Sequence, residues 1–599
     1  MRETTSPSLI TSDPPHTLPG LLAWRVADDP ASVYVERKSG LGATWTPMTV
    51  QAFADEAAAV AKGLVALGVE PGDRVAVMSR TRYEWTLLDF AIWAAGAVTV
   101  PVYETSSADQ LQWICSDAGV KLAVVETTAH ASLAESVRGQ LPELGPVLSI
   151  DDGAVGRLVQ EGAGVPDAEI ERRSALATAD DLATIIYTSG TTGRPKGAEL
   201  THGNFVSLSR EGAIGLYDVC AAPGSRTLLF MPLAHVFARF IEVLCLASKA
   251  TLGHTPDTKN LVADLGTFRP TFILSVPRVF EKVYNSAEQK AGGGTKLKIF
   301  RWAAKTSIVY SRALDTPGGP SAVLRAQHAL ADRLVLHKMR HALGGQARYA
   351  VSGGAPLGER LGHFYRGVGL RVLEGYGLTE TTAPTSVNLP DKSKIGTVGP
   401  AFPGASLRIA DDGEIQVKGA HVFRGYRDNP EATAEAFDDG WFRTGDLGSL
   451  DDDGYLTITG RKKEIIVTAG GKNVAPALLE DRLRGHPLVS QVVVVGDGRP
   501  FIGALVTLDA EMLPGWLAGH GLPEMDVVAA ARSNAVLAAL DRAVARANEA
   551  VSRAESIRKV RVLTTDFTVE NEYLTPSLKV KRDQVLQDFA AEVEALYST

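Results

Sequence analysis

The sequence predicts an α/β protein: a large N-terminal domain of α/β subdomains with a small β-barrel-like unit, then a smaller α/β C-terminal domain. Three observations predict this fold class. Helical and strand-like patterns alternate from Val50 onward, short alternating strands fill the stretch from Gly404 to Gly460, and a basic segment after Gly460 opens another α/β region. The 599 residues are enough for several hydrophobic cores.

The alternation of helix and strand is clearest in the first part of the large domain. Residues 50–68 have helical spacing, and residues 74–79 form a short apolar run after a turn. Residues 86–96 are helical again, and residues 97–102 have the pattern of a buried strand. Because the same strand signal returns further along, we expect mostly parallel strands, with more of them at 121–126, 271–276 and 347–354.

The rest of the chain divides into segments that differ in composition and pattern. Residues 1–20 are rich in Pro, Ser and Thr and are expected to be flexible. Residues 281–341 are helical and basic with two glycine-rich breaks, which predicts a helical insertion on the surface. A domain boundary is predicted at 460–463, so the N-terminal domain covers 21–460 and the C-terminal domain covers 461–599.

Composition excludes several classes of protein. Apolar residues make up 45% and charged residues 22% of the chain, which excludes a largely disordered protein. The net charge of −8 gives no reason to expect nucleic acid as the main partner. The cysteines Cys115, Cys220 and Cys245 are too dispersed for a zinc motif or a disulfide scaffold, so buried thiols are expected. No signal peptide or membrane span is recognisable, which predicts a cytoplasmic protein and leaves peripheral membrane contact open.

The segment Tyr187–Gly197, YTSGTTGRPKG, has the properties of a phosphate-binding loop. It follows an apolar strand-like run, its glycines let backbone N–H groups approach an anion, and its hydroxyls and one lysine add donors. The order differs from the Walker A pattern, because Pro195 precedes Lys196 and Gly197 follows it. An ordinary glycine-rich turn is the alternative for such a cluster. The candidate phosphate contacts are Thr188, Ser189, Gly190, Thr191, Thr192, Gly193 and Lys196.

This loop resembles the signature of the acyl-adenylate-forming (AMP-binding) superfamily, and further motifs of that family follow in the expected order. The resemblance covers about residues 30–590 and is most similar to the bacterial long-chain fatty acyl-CoA synthetase branch. The matching segments are MPLAHVF at 231–237, SGGAPL at 352–357, EGYGLTET at 374–381, WFRTGDLG at 441–448, GRKKEIIVTAGGKNVAP at 460–476 and LTPSLKVKR at 574–582.

The resemblance implies a nucleotide site. Tyr376 would stack on adenine, Asp446 would accept hydrogen bonds from the ribose hydroxyls, and Arg461 would support that contact. Glu380, with Thr191, would bind the Mg²⁺ that accompanies ATP, because a hard cation prefers oxygen ligands. The full set of implied adenine and ribose contacts is Gly353, Gly354, Ala355, Glu374, Gly375, Tyr376, Gly377, Thr379, Asp446 and Arg461.

The resemblance also implies catalytic residues. The family places its catalytic lysine three residues before a motif arginine, and counting back from Arg582 gives Lys579. Its ammonium would stabilise the charge on the α-phosphate transition state, together with Glu380 in the same catalytic set. In strand geometry Lys581 would share the face of Lys579 and is the second candidate. His235 would close the acyl site and orient the carboxylate, and the apolar run 236–247 lines either an acyl tunnel or plain core.

Two half-reactions follow from the resemblance: the acid attacks ATP to give acyl-AMP and pyrophosphate, and a thiol then displaces AMP. A mobile C-terminal domain would rotate about Lys463, withdraw Lys579 and present Gly470 and Gly471 to coenzyme A. The implied function is activation of long-chain fatty acids to acyl-CoA. The alternatives are a fatty acyl-AMP ligase or an enzyme that loads a carrier protein or another acid, and a non-enzymatic nucleotide-binding protein. The sequence leaves open the preferred length of the acyl chain and the oligomeric state, for which a homodimer is one option.

Overall fold

The computed structural model describes residues 1–12, 15–38, 44–188, 194–292, 294–575 and 578–598. Within these residues the strands β1 to β26 are, in chain order, Glu3–Thr5, Val33–Lys38, Trp45–Thr49, Arg74–Met78, Val98–Val102, Val120–Val125, Val147–Ser149, Leu182–Thr188, Lys196–Thr201, Arg226–Leu229, Thr251–His254, Phe272–Ser275, Tyr349–Ser352, Arg371–Leu378, Ala383–Val387, Ala405–Ile409, Glu414–Gly419, Gly425–Tyr426, Phe437–Asp438, Trp441–Leu450, Leu456–Arg461, Ile466–Val467, Asn473–Val474, Val489–Val495, Ile502–Leu508 and Ile557–Leu563.

The α-helices of the same residues are numbered α1 to α22. In chain order they are Leu18–Asp28, Val50–Ala66, Tyr83–Ala94, Ala108–Ala118, Thr128–Val137, Ala154–Glu161, Asp167–Leu176, His202–Gly215, Val236–Ser248, Leu261–Phe268, Pro277–Lys290, Gly294–Leu314, Ala322–Ala331, His337–Ala342, Glu359–Val368, Pro430–Ala436, Pro476–Arg484, Leu513–Gly519, Val527–Ala530, Asn534–Asn548, Arg582–Asp588 and Ala590–Tyr597.

The N-terminal part contains mixed sheets whose strands are mostly parallel. The largest has the order β18-β9-β8-β5-β4-β6-β7, in which β8 to β7 are parallel and β9 is antiparallel to both of its neighbours, β8 and β18. Two four-stranded sheets, β12-β13-β14-β15 and β10-β11-β2-β3, each combine three parallel strands with one antiparallel edge strand. The predicted α/β class is confirmed. The predicted alternation over 50–102 is realised as α2, β4, α3 and β5.

The small β unit predicted over 404–460 is present as an antiparallel sheet. Strands β16 and β17 form the expected hairpin, and the sheet continues through β20 to β19, with β21 also on β20. Its other edge is β1, which pairs with β16 through Thr4 opposite Leu407. The expectation that residues 1–20 are flexible is therefore wrong for Glu3–Thr5, because the exposed edge of β16 offers backbone partners that composition cannot reveal.

The basic stretch 281–341 is helical as predicted and contains most of α11, then α12 to α14. It is not confined to the surface. One side of α12 is buried, with Phe300, Ala303 and Ala304 in the main hydrophobic core, and Ser307 Oγ donates to the Phe364 carbonyl of α15. The opposite side of the helix is exposed. The three cysteines are buried free thiols, as expected.

The chain after residue 463 has cores of its own. Strands β24, β25 and β26 form a sheet in which β24 is antiparallel and β26 parallel to β25. Helices α17 and α20 cover one face of this sheet, and α21 and α22 cover the other. This part lies against the N-terminal part through contacts between α11 and α18. No helix in the described ranges combines the length and apolar character that crossing a membrane requires.

Candidate active site

One large cavity, of about 1660 Å³, takes its walls from both the N-terminal part and the chain after residue 460. The carboxyl ends of parallel strands face it, which is where open α/β sheets place ligands. The cavity brings together residues that are hundreds of positions apart in sequence. The predicted site residues in its wall are Thr188, Lys196, His235, Gly353, Gly354, Ala355, Gly375, Tyr376, Gly377, Thr379, Glu380, Arg461, Lys463 and Lys579.

The predicted phosphate loop connects β8 to β9. These strands are antiparallel, and Thr188 is paired with Lys196 across the base of the loop. The Trp113 indole donates a hydrogen bond to the Pro195 carbonyl at 2.9 Å, which fixes the second arm of the loop. The predicted contacts Ser189, Gly190, Thr191, Thr192 and Gly193 lie outside the described residues. The two described ends, Thr188 and Lys196, line the cavity, and Lys196 brings a positive charge there.

The predicted metal ligand Glu380 lies on a 3-10 turn that follows β14. Its Oε1 accepts a hydrogen bond from the Tyr426 hydroxyl at 2.8 Å, and the Lys196 ammonium lies 5.2 Å from the centre of the same tyrosine ring. Gly377 lies in β14 just before this turn, and a Cβ there would come within 1.6 Å of the Ala383 carbonyl oxygen, so the close approach of the two backbones needs glycine. The Glu380 carboxylate, the Tyr426 phenol and the Lys196 ammonium thus lie close together in the cavity wall.

The predicted ribose carboxylate, Asp446, is held between two residues of the cavity wall. Its Oδ2 accepts a hydrogen bond from the Tyr376 hydroxyl at 2.6 Å, and its Oδ1 lies 3.0 Å from the Arg461 Nε. Burial and the Asp446 charge raise the pKa of the Tyr376 phenol well above its ordinary value. The phenol therefore keeps its proton and orients the carboxylate, while the tyrosine ring stays part of the wall.

Glu374, predicted as an adenine contact, is placed differently. It is buried behind the cavity wall, and its Oε1 accepts a hydrogen bond from the Leu357 backbone N–H at 2.8 Å. Burial raises the pKa of its carboxyl to about 7. Within the described residues Glu374 does not line the cavity. The glutamate therefore supports the loop after Gly354 from behind the wall, through its hydrogen bond to the Leu357 N–H.

His235 begins α9 and caps it. Its Nδ1 accepts a hydrogen bond from the Phe237 backbone N–H at 3.2 Å, which assigns the proton of the neutral ring to Nε2. Burial, and then the positive charge of Lys579, lower the pKa of His235 to about 3. The ring is therefore neutral near pH 7 and can donate a hydrogen bond from Nε2 into the cavity.

The apolar run 236–247 contributes to both the cavity wall and the core, the two alternatives left open by the sequence. Val236, Phe240 and Leu244 recur at helical spacing and line the cavity, whereas Arg239 and Glu242 point into the core and are fully buried. Leu216 and Phe402 join the first group and complete an apolar branch of the cavity next to His235. This branch provides the kind of surface that an extended hydrocarbon chain requires.

Lys579 reaches the cavity from the C-terminal part. Its side chain is exposed to the cavity solvent but surrounded by protein groups. Burial and then the charge of Arg461 lower the pKa of its ammonium, and the carboxylates Asp446, Glu380 and Glu464 raise it. These charges lie close enough to Lys579 to act on it electrostatically. Three of these four charged residues, Arg461, Asp446 and Glu380, are predicted site residues and act on the candidate catalytic lysine.

The strand geometry that made Lys581 the second candidate is wrong. Residues 578–581 are not a strand: Leu578 has a φ of 63°, Thr575 and Lys579 close a turn through a 2.7 Å backbone hydrogen bond, and Lys581 precedes α21. Among the described wall residues of the cavity, Lys579 is present and Lys581 is not. A residue with positive φ reverses the local chain direction, which alternation in sequence does not reveal.

The glycines predicted to face coenzyme A lie elsewhere. Gly470 and Gly471 form the exposed tip of the hairpin between β22 and β23, closed by a 3.0 Å hydrogen bond from the Thr468 N–H to the Lys472 carbonyl. Gly471 has a φ of 74°, which suits glycine at this turn. Neither glycine is part of the described cavity wall. Lys463 lies in the exposed 3-10 turn 462–464, where the chain passes from one part to the other.

Two functional contacts were not found from the sequence. Tyr426 bonds Glu380, and the Arg278 guanidinium on α11 lies 3.1 Å from Asp509 in the C-terminal part. Neither residue belongs to a pattern with a chemical signature, because each acts through a partner distant in sequence. Tyr426 is the last residue of the two-residue strand β18, which is too short to give a clear local signal.

Comparison with known protein families gives two matches. Residues 22–427 match the model of the AMP-binding enzyme family, and residues 463–599 match the AMP-binding enzyme C-terminal domain. Together the two matches span nearly the whole chain. Among curated relatives, long-chain-fatty-acid–CoA ligase FadD15 of Mycobacterium tuberculosis is 51% identical to this chain over 607 aligned residues, and the alignment covers all of both chains.

More distant relatives and solved structures also match this chain over most of its length. Long-chain-fatty-acid–CoA ligase 1 of Cavia porcellus is 31% identical, over 88% of this chain and 79% of the relative. The solved adenylation domain of a carboxylate reductase from Mycobacterium chelonae has a TM-score of 0.76 and 22% identity, and covers 98% of this chain and 92% of its own. An anthranilate CoA ligase in complex with anthranoyl-AMP has a TM-score of 0.74 at 18% identity, with coverage of 97% and 99%. At these identities the structures establish the fold alone.

Proposed function

The chain belongs to the AMP-binding enzyme family, and from this we propose that it is a long-chain fatty acid–CoA ligase. It activates a long-chain fatty acid with ATP to acyl-AMP and pyrophosphate, and then transfers the acyl group to coenzyme A with release of AMP. The observation that carries this proposal is the shared cavity: Lys579 from the C-terminal part stands with His235, Glu380 and an apolar branch. The relative named long-chain-fatty-acid–CoA ligase FadD15 supports the choice of acid.

In the first half-reaction a carboxylate oxygen attacks the α-phosphorus, and the bond from that phosphorus to pyrophosphate breaks. The Lys579 ammonium stabilises the negative charge that develops between the two reactants. His235 donates from Nε2 to the fatty acid carboxylate and orients it, while the hydrocarbon chain occupies the branch beside Leu244. Since His235 stays neutral, it adds no second positive charge beside Lys579.

The nucleoside is held at the opposite end of the cavity. Asp446 accepts the ribose hydroxyls, with Arg461 and the Tyr376 hydroxyl holding its carboxylate in position. The rings and backbone around Tyr376 and Gly354 offer a flat surface for adenine. Thr188 and Lys196, at the ends of the phosphate loop, contact the phosphates that leave as pyrophosphate.

The site also fits a Mg²⁺ ion that arrives with ATP. Glu380 offers one carboxylate in the cavity wall, and the described residues contain no cluster of three potential metal-binding side chains. A Mg²⁺ bound to nucleotide phosphates needs only one or two carboxylates from the protein. Glu380 would hold the ion, with Thr191 as the second predicted ligand, and the ion would neutralise part of the phosphate charge.

The second half-reaction requires a different surface. The thiol of coenzyme A attacks the acyl carbon, its proton is lost to solvent, and AMP leaves. Lys579 occupies the cavity in the arrangement seen here, whereas Gly470 and Gly471 lie away from it. We propose that the C-terminal domain, 461–599, rotates about Lys463 on the N-terminal domain, 21–460, so that the glycines replace the lysine. A cytoplasmic location is part of the proposal.

Pyrophosphate release with a series of acids tests the function. The purified chain is mixed with ATP, Mg²⁺ and acids from acetate to stearate, with and without coenzyme A. The proposal predicts multiple turnovers with long-chain acids that require coenzyme A, because acyl-AMP otherwise stays bound. A preference for short or aryl acids would reject the substrate class. Full turnover that does not depend on coenzyme A would favour an acyl-AMP ligase that loads a carrier protein.

A further inference from the structure

The segment 294–342, which we call the basic hairpin, differs in charge from the rest of the chain. It contains nine Lys and Arg residues and two Asp residues, a net charge of +7, although the whole chain carries −8. It comprises α12, α13, a π-helical turn at 332–336 and α14. Such a local reversal of sign indicates attraction to an anionic partner.

Most of this charge is available to a partner. Arg301 pairs with Glu288 at 2.7 Å and Arg340 pairs with Asp332 at 2.6 Å. The remaining basic residues of the hairpin form no ion pair within the part of the chain that the structure describes. These residues are Lys296, Lys298, Lys305, Arg312, Arg325, Arg333 and Lys338.

The basic residues of α12 lie on one outer face. Lys298, Arg301, Lys305, Val309 and Arg312 follow one another at helical spacing and are all exposed. The face on the other side carries the buried residues that pack towards α15. The outer face of α12 is therefore a stripe of positive charge with an apolar residue in it.

Helix α13 and the π-helical turn that follows it present an apolar stripe beside this charge. Val323 is 68% exposed, Leu330 is 52% exposed and Leu334 is 41% exposed. Ala326 lies between the first two at helical spacing and is also exposed, and Ala331 is the buried residue of α13. Arg325 and Arg333 flank the stripe. An exposed, regularly spaced apolar stripe bordered by cations is typical of helices that lie in a lipid–water interface.

We propose that the basic hairpin is a docking surface for an anionic lipid bilayer. The positive charge matches anionic headgroups, and the stripe of Val323, Leu330 and Leu334 matches the boundary of the acyl chains. A nucleic acid would use the charge but leave the aliphatic stripe in water. A second copy of this chain would place +7 against +7 across a two-fold interface, which opposes pairing.

Sedimentation with vesicles tests this surface on the full-length protein. Vesicles of phosphatidylcholine alone are compared with vesicles that contain about 30% phosphatidylglycerol, and the charge on the anionic vesicles should raise binding by about tenfold or more. High salt should remove most of this difference, since the interaction of exposed charges is screened. Equal binding to the two vesicles, or no binding to either, would overturn the proposal.

Two sets of variants separate the parts of the surface. Leu330→Ser with Leu334→Ser removes the stripe, and Lys305→Glu with Arg325→Glu reverses charge; each pair should lower binding to anionic vesicles by about tenfold. The matched control, Val528→Ser with Arg532→Glu, changes an exposed valine and an exposed arginine outside the hairpin and should leave binding unchanged.

The same variants distinguish a lipid bilayer from the two other partners, a second copy of this chain and a nucleic acid. Thermal unfolding and the rate of acyl-AMP formation check that each variant is folded, because none of the changed residues lines the cavity. Light scattering measures the oligomeric state: a dimer that dissociates in the Leu330→Ser, Leu334→Ser variant would overturn the proposal. Hairpin-dependent binding of duplex DNA without binding of anionic vesicles would also overturn it. The proposal does not depend on the identity of the acyl substrate.

Discussion

The Arg278 guanidinium lies 3.1 Å from the Asp509 carboxylate, and this ion pair joins α11 of the N-terminal part to the segment before α18 of the C-terminal part. The other oxygen of Asp509 accepts the backbone N–H groups of Glu511 and Met512. Gln289 on α11 donates to the Met512 carbonyl at 3.0 Å. These contacts hold the C-terminal part in the arrangement that places Lys579 in the cavity.

Breaking this pair should slow the first half-reaction. The pair is largely buried, with 20% and 10% of the two side chains exposed. Arg278→Gln or Asp509→Asn should lower the single-turnover rate of acyl-AMP formation about tenfold, because either change removes the buried ion pair that joins the two parts, whereas the second pair of Arg278, with Glu281, lies within α11. The transfer of supplied acyl-AMP to coenzyme A should not slow. The double variant should be no slower than the slower single variant, since both remove one interaction.

Lys282→Gln provides the comparison for the Arg278 pair. Lys282 pairs with Glu511 at 3.3 Å between the same two parts of the chain, but the side chains are 55% and 79% exposed. An exposed pair contributes little, so the rate of acyl-AMP formation should change by less than about threefold. Equal effects of the two substitutions would mean that burial of the Arg278 pair is not what holds the docked arrangement.

Lys579→Ala should separate the half-reactions. The Lys579 ammonium reaches the cavity from the C-terminal part and is the charge assigned to the α-phosphate transition state, so its loss should lower the rate of acyl-AMP formation by about a hundredfold or more. Formation of the thioester from supplied acyl-AMP should persist, because that step does not use this charge. Lys581→Ala, which changes a lysine outside the cavity wall, should leave both rates within about twofold. Normal acyl-AMP formation by Lys579→Ala would reject the assignment.

Gly212→Ala should shorten the preferred acyl chain. A Cβ at Gly212 on α8 would lie 3.0 Å from a Leu244 methyl, 3.5 Å from the Phe402 ring and 3.6 Å from the Phe240 ring, and all three side chains line the apolar branch. Their displacement would fill part of that branch. The ratio of kcat/KM for palmitate to that for octanoate should fall about fivefold, which corresponds to about one methylene of lost space.

Gly362→Ala is the control for the Gly212 substitution. It also introduces a methyl into a helix, where it would meet an aliphatic side chain, Ile395 Cγ2, at 2.9 Å. Neither Gly362 nor Ile395 is in the described cavity wall. The control should lower the Tm without changing the ratio of the two acids. A ratio that falls equally in both variants would attribute the change to general loss of packing.

Buried histidines should make the protein less stable in acid. His202, His254 and His421 are buried, and burial lowers the pKa of each to about 4. The unfolded chain therefore binds more protons than the folded chain below about pH 6.5, so stability falls with falling pH. Between pH 6.5 and 5 each histidine lowers the free energy of unfolding by up to about 2 kcal/mol. Glu374, with a pKa raised to about 7, changes stability in the opposite direction and offsets part of this loss.

The pH effect can be isolated with one substitution. His421 Nε2 lies 3.1 Å from the Thr385 hydroxyl, and His421→Gln keeps a group that can bond there but cannot take up a proton. The fall in Tm from pH 6.5 to pH 5 should be smaller in this variant than in the original chain. His341→Gln changes an exposed histidine and should leave that fall unchanged. An unaltered pH dependence in the His421 variant would contradict the linkage.

The sequence predicted those parts of the molecule that have local signals. Alternating helix and strand over 50–102 follows from hydrophobic period, and the hairpin of β16 and β17 follows from its central turn residues. The cavity residues that were predicted came from motif order, which carries information about pairs far apart in the chain. His235 and Lys579 are such a pair, since the charge of one affects the pKa of the other.

What the sequence did not reveal depends on long-range geometry. Strand β1 exists because the edge of β16 is free, and the Arg278 pair exists because two parts of the chain dock. Glu374 was predicted in the nucleotide site, but its carboxylate is held by the backbone N–H of Leu357, 17 positions earlier in the chain. Lys581 was placed by strand alternation, and the positive φ of Leu578 removes the strand. A local pattern cannot supply any of these facts.

The most direct measurement is the product balance of one reaction that contains the purified chain, palmitate, ATP, Mg²⁺ and coenzyme A. The proposed function predicts AMP, pyrophosphate and palmitoyl-CoA in equal amounts, with acyl-AMP accumulating to one equivalent per enzyme when coenzyme A is left out. Formation of ADP and phosphate, or of AMP without any thioester, would contradict it.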